Sequence, residues 1–263
     1  MRQALTLALR HTMTRGAFGT PIADRPMMTN VLADMAVEVE ACTLMALRVA
    51  RAADGMRDSE HERLLARVAT PAAKYFNCSR APSIAYEALQ CHGGNGFIEE
   101  NPMARVYREA PLNSVWEGTA NMMCMDVRRA MARDARTLDA LFDELRSLAG
   151  QDARFDALVR HVGRLARDAA RDEFLARPMT EVVARAARRR AVAPRHGRGR
   201  GRVPGYTRSR RGGRLGIALR HAGRQDRPGR RATHLAAGRR GGLMAGGMPA
   251  AVSAGEPGDR RWR

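Results

Sequence analysis

Apolar residues recur at three- and four-residue steps through most of the first 187 positions, with charged residues filling the gaps. Met28, Val31, Leu32, Met35, Val39, Cys42, Met45 and Val49 fall on one stripe of a helix of roughly seven turns. Leu64, Val68, Ala72 and Tyr75 mark a second stripe, on a helix from about Ser59 to Cys91, within which Pro71 and Pro82 predict kinks or local restarts. Residues 93–111 have little periodicity and read as a loop. Further helices are predicted from just after Gly118 to Asp134, from Leu138 to Ala149 and from Ala153 to Ala176. Alanine is abundant and strand-like alternation of Val, Ile and Thr is absent. The pattern predicts an all-α fold, an antiparallel four-helix-type bundle with short links.

The periodicity stops near residue 190, and the charge changes with it. The chain of 263 residues has a formal net charge of +19. Through Ala187 there are 25 basic and 24 acidic residues; from Arg188 onward there are 21 and 3. Residues 191–263 hold 18 Arg, 16 Gly and 5 Pro, as in HGRGRGRVPG and AGRRGGLMAGG. Such a composition leaves too little apolar surface to offset ordering entropy. The expected organisation is therefore a helical domain over 1–187 and a disordered, Arg/Gly-rich tail over 188–263.

Several classes are disfavoured by composition. No run of eighteen apolar residues exists, so no transmembrane helix is expected, and the start MRQALTLALRHTMTR lacks a secretory h-region. Cys42, Cys78, Cys91 and Cys124 are widely spaced, which suits reduced thiols in a cytoplasmic protein. His11, His61, His92 and His161 are scattered without ligand spacing, so no metal site is expected. Lys74 stands alone against 45 arginines, which reads as the bias of a GC-rich genome.

Three clusters carry candidate chemistry. The first is Arg15-Gly-Ala-Phe18-Gly19. Arg15 either complements a helix C-terminus or clamps a phosphate. The second is Gln90-Cys-His-Gly93-Gly94-Asn-Gly96-Phe97. Its glycines either cap a helix or let backbone amides approach a cofactor. The spacing does not match GxGxxG and no strand precedes it. The third is Trp116-Glu117-Gly118-Thr119-Ala-Asn121. Glu117 either complements a helix dipole or serves as a general base. The second role needs the carboxylate to lie against a dry, apolar surface, which raises its pKa from about 4.3 toward neutrality.

In this order, RxxFG, QxxGGxGF and WEGT resemble the C-terminal helical domain of the acyl-CoA dehydrogenase family. The likeness runs from about Met1 to about Arg190. A finer likeness, to the DNA-alkylation-response subgroup and through it to isovaleryl-CoA dehydrogenases, is carried by AAKYFNCSRAPSIAYEALQCHGGNGFIEE, ARVYREAPLNSVWEGTANMMCMDV and VLADMAVEVEA.

The resemblance implies FAD as cofactor and an acyl-CoA thioester as substrate. It implies Glu117 as the base that removes the α-proton while a hydride leaves the β-carbon for the flavin. It implies Arg15 and Phe18 as cofactor contacts, with Arg15 reaching FAD across a subunit interface of a homodimer or homotetramer. Gln90, Gly93 and Gly94 match the segment around the ADP part of FAD, and Thr119 and Asn121 match flavin-contacting positions. Asn121 stands where many members have glutamine. Arg25-Pro26 stands where many have a glutamine facing adenosine, which puts that contact in doubt. Family subunits also carry an N-terminal helical domain and a β-domain ahead of this segment, so the chain reads as an incomplete part of such an enzyme.

Three further expectations concern the remainder. The tail reads as an off-frame translation of GC-rich DNA, because charge, periodicity and resemblance change together. An Arg-rich tail would bind DNA without sequence choice, a reading the subgroup likeness also favours. The helical part alone reads, alternatively, as an inactive oligomerisation fragment.

Overall fold

The computed structural model describes residues 1–193. The tail from residue 194 onward, with the disorder, off-frame origin and DNA binding expected of it, lies outside the described residues.

Eight α-helices account for most of the described chain. Helix α1 (Arg2–Thr14) leads into a two-stranded hairpin, β1 (Gly16–Ala17) and β2 (Thr20–Pro21). Then follow α2 (Pro26–Gly55), α3 (Glu60–His92), α4 (Pro102–Glu109), α5 (Ala120–Arg133), α6 (Arg136–Arg146), α7 (Ala153–Arg171) and α8 (Ala176–Val192). The all-α expectation holds.

Helix α3 is the axis of the bundle and packs against α1, α2, α4, α5, α6 and α8. It starts with a side-chain N-cap: the Ser59 hydroxyl accepts from the Glu62 backbone N–H. Two cores lie along it. Phe76, Met45, Val127, Leu141, Met179 and Val183 belong to the larger one, which joins α3 to α2, α5, α6, α7 and α8. Leu5, Leu32, Met35, Val39 and Met103 belong to the smaller one, which joins the other end of α3 to α1, α2 and α4.

Three expectations are corrected. Helix α3 runs without interruption through Pro71 and Pro82. Each proline removes one ladder hydrogen bond at a local cost of about 3 kcal/mol, but the helices packed around α3 hold it together. The segment expected as a loop contains α4, which Asn101 caps by accepting from Met103 N–H at 2.9 Å, with Pro102 in the first turn. Its eight residues give too short a window for periodicity to register, although Met103 and Ala104 are buried.

The third correction moves the end of the helical part beyond residue 187. Helix α8 continues to Val192, and its arginines serve the fold. Arg188 pairs with Glu38 of α2 at 2.6 Å, and Arg190 Nε donates to the Glu144 carbonyl at 3.0 Å. The rise in positive charge thus begins inside a packed helix.

Candidate cofactor cleft and acidic loop

The ends of α1, α2 and α3 meet around a cleft of about 830 Å³, within the range of cofactor and small-molecule sites. Arg15, Phe18, Gln90, Gly93 and Gly94 all line it, so two of the three sequence clusters converge. Met27, Met28, Val31 and Ile22 supply apolar wall, and Arg25 and His92 add polar groups.

Each element has a local cause. Helix α3 ends at Gly93, whose φ of 61° is left-handed and whose N–H bonds to the Gln90 carbonyl. A tight turn over Gly93–Gly96 follows. Added Cβ atoms at Gly93 and Gly94 would meet nothing within 4 Å, so these two positions face open space. Gly96 differs: a Cβ there would lie 2.6 Å from the Leu89 carbonyl oxygen. Opposite this turn, Phe18 and Gly19 have φ of 53° and 82°, the combination of a type I′ hairpin. Phe18 is 93% exposed at the tip.

The histidines were not legible as site residues, and Arg25 was legible only as a departure from the family pattern. Arg25 Nη2 donates to the Phe18 carbonyl at 2.8 Å and to the Ala17 carbonyl at 3.3 Å, so the position that departs from the family pattern fastens the hairpin. His11 and His92 stack with ring centroids 4.6 Å apart. His92 is buried and its Nδ1 donates to the Ala88 carbonyl at 2.7 Å. Burial, reinforced by the neighbouring His92 and Arg15, holds the His11 pKa below its usual value. The Cys91 thiol is pushed up to about 11, chiefly by burial, and is a wall rather than a nucleophile.

The third cluster is separate. Gln90 and Lys74 stand sixteen residues apart on α3, about 24 Å along the axis, and Lys74 rather than Gln90 reaches the Trp116–Gly118 loop. Thr119 is the N-cap residue of α5 and Asn121 lies in its first turn, where its Oδ1 accepts from Arg177 at 3.0 Å. Glu117 has a φ of 53° and is exposed, as is Trp116 beside it. The dry surface expected for Glu117 is therefore not supplied by the described residues. Adjacency to Trp116 misleads because Trp116 is itself 53% exposed and offers Glu117 no dry wall.

Residues 1–132 match the family described as acyl-CoA dehydrogenase, C-terminal domain. The chain belongs to the acyl-CoA dehydrogenase family. It is 42% identical over 152 residues to the putative acyl-CoA dehydrogenase AidB of Escherichia coli, a stretch that is 58% of this chain and 28% of AidB. It is 29% identical over 134 residues to the mouse mitochondrial short-chain specific acyl-CoA dehydrogenase, covering 51% of this chain and 31% of that protein. Among solved structures, Bd2924 in its apo form superposes with a TM-score of 0.65 at 26% identity, covering 72% of this chain and 38% of that one. Caenorhabditis elegans ACDH-11 in complex with C11-CoA superposes with the same TM-score at 23% identity, a likeness of fold. The chain thus spans about a third of the length of these relatives.

The cleft fits the ADP part of a flavin dinucleotide on its own chemistry. A guanidinium suits a pyrophosphate, and among the described residues Arg15 has no carboxylate partner. The open glycine turn admits close backbone approach, and the Met and Val walls suit an adenine face.

Proposed function

We propose that this chain is the cofactor-clamping and base-bearing part of an FAD-dependent acyl-CoA dehydrogenase. The observation that carries the reading is the convergence of Arg15, Phe18, Gln90, Gly93 and Gly94 on one cleft in a chain of this family. Arg15 holds the pyrophosphate, the Gly93–Gly94 turn lets backbone amides approach the ribose and phosphates, and Arg25 keeps the hairpin in place. Bound FAD supplies the two-electron acceptor for the hydride that leaves the substrate β-carbon.

Glu117 takes the α-proton of the acyl-CoA. Its side chain is exposed within this chain, so the base role requires that the acyl-CoA, the flavin and further protein cover the Trp116–Gly118 loop. That cover excludes water from around the carboxylate, as a working base needs. Because the cleft and the loop do not share a cavity, they serve two cofactors. The cleft clamps the flavin of a second copy and the loop serves its own, which makes a homo-oligomer the working state.

The test is anaerobic addition of acyl-CoA to flavin-loaded protein completed with the N-terminal helical domain and β-domain of such an enzyme, read as bleaching of flavin absorbance. The reading expects bleaching in the parent. In Glu117→Gln it expects retained flavin and no bleaching. A parent that does not bleach contradicts the dehydrogenase reading, and a Glu117→Gln variant that bleaches at the parent rate contradicts the base assignment.

A further inference from the structure

The lone lysine of the chain lies under the acidic loop. Lys74 is partly buried on α3, and its Nζ stands 2.7 Å from the Trp116 carbonyl oxygen and 2.6 Å from the Gly118 carbonyl oxygen. These two carbonyls flank Glu117. An ammonium is a compact charge with three rotatable donors, so it can draw two carbonyls to one point. Charge-assisted bonds of this length are strong ones.

The backbone between those carbonyls is unusual. Glu117 has a φ of 53° and Gly118 a φ of 107°. A carboxylate residue in left-handed backbone persists where surrounding structure over-determines it, and such sites concentrate where function needs them. The Thr119 side chain makes no capping bond, so the α5 cap does not fix the loop. The Lys74 ammonium does. Forty-five basic residues of this chain are arginine and this one is not. Arginine's flat fork aims its donors along fixed directions and cannot converge on one point in the same way.

We propose that Lys74 is the positioning residue of the acidic loop: by gathering the carbonyls on either side of residue 117, it holds Glu117 in left-handed backbone with the carboxylate presented away from α3. The assignment rests on the proposed base role of Glu117 only for what the loop is for; the anchoring itself is independent of it.

Two measurements on the full chain test the anchor. Labelling with [15N]lysine gives a single ε-ammonium resonance. Held by two carbonyls, it exchanges slowly with water and remains visible at neutral pH; an ammonium averaged away by exchange overturns the proposal. In a Trp262→Phe background Trp116 is the sole tryptophan. Lys74→Met is expected to raise acrylamide quenching of Trp116 about twofold while helicity stays the same, and Lys74→Arg is expected not to restore it. Parent-like quenching in Lys74→Met overturns the proposal. Should Lys74→Met fail to fold, the resonance in the unaltered chain still decides.

A third measurement tests the purpose. In flavin-loaded protein, Lys74→Met is expected to lower kcat by roughly tenfold or more with KM within about twofold, since displacing a reacting group by an ångström is that damaging. An unchanged kcat overturns the positioning role. Turnover retained in Glu117→Gln instead contradicts the base reading and leaves the anchor to be judged by the two spectroscopic tests.

Discussion

Arg25 closes over Phe18. Its guanidinium donates to the Phe18 carbonyl at 2.8 Å and lies 5.5 Å from the centre of the phenyl ring. Phe18 sits at a φ of 53° in a turn that favours Asn or Gly, so the hairpin tip is strained. A hydrogen bond and a cation–π contact from one side chain offset that strain. The hairpin lies outside both cores. Arg25→Gln is therefore expected to shift Tm by no more than about 2 °C. It should weaken ADP binding by about threefold to tenfold, because the clamp must then be ordered by the ligand. Calorimetric titration with ADP beside a thermal melt checks both halves.

Arg48 joins three helices. Its side chain is 13% exposed and bridges Glu62 of α3 at 2.8 Å and Glu144 of α6 at 3.0 Å. Burial pushes the Glu144 carboxyl up, but the Arg48 hydrogen bonds and charge, with Arg190 and His61, together hold it below the usual carboxylate range. A folded pKa below the unfolded one gives stability that is complete above about pH 5 and is lost as pH falls through the folded value. Arg48→Met removes the cation that joins Glu62 to Glu144, leaving Arg190 at 3.8 Å as the nearest charge on Glu144. Urea unfolding at pH 7 should show a loss of about 3 kcal/mol. The difference from the parent should shrink at pH 4, where protonation relieves the pair.

Two glycines of one turn make opposite predictions. A Cβ at Gly96 would stand 2.6 Å from the Leu89 carbonyl and 2.9 Å from His92 Cβ, so Gly96→Ala must displace backbone. Its expected cost is about 1–3 kcal/mol, seen as a lowered Tm. A Cβ at Gly94 meets nothing, so Gly94→Ala should keep the parent Tm and lose affinity for ADP, whose approach it obstructs.

The stacked histidines give the cleft a pH dependence. The His11 pKa is lowered by burial, then by His92 and Arg15. Its unfolded value is about 6.5, so the unfolded chain takes the proton more readily. Stability contributed here is fullest above that value and declines as pH falls below it. His11→Asn removes the titration. Melts between pH 7.5 and pH 5 should show a shallower decline in the variant than in the parent.

The long helices were legible because their apolar residues repeat over many turns: Leu32, Met35, Val39 and Met45 are buried as the α2 stripe predicts. The uninterrupted α3 was not, because Pro71 and Pro82 announce a local preference that packing on several sides overrides. The cleft residues were legible as short motifs, although only the fold shows that Arg15 and Gly94 line one cleft. The exposure of Glu117 was not, since sequence neighbours say nothing of a left-handed φ. Lys74 left one trace, a single lysine among arginines, that composition alone explained away.

Calorimetric titration of FAD into the chain should show one saturable site per chain. ADP should compete for it and riboflavin should not, and Arg15→Gln should weaken it about tenfold. FAD binding that ADP does not displace, or that Arg15→Gln leaves at the parent affinity, would contradict the assignment.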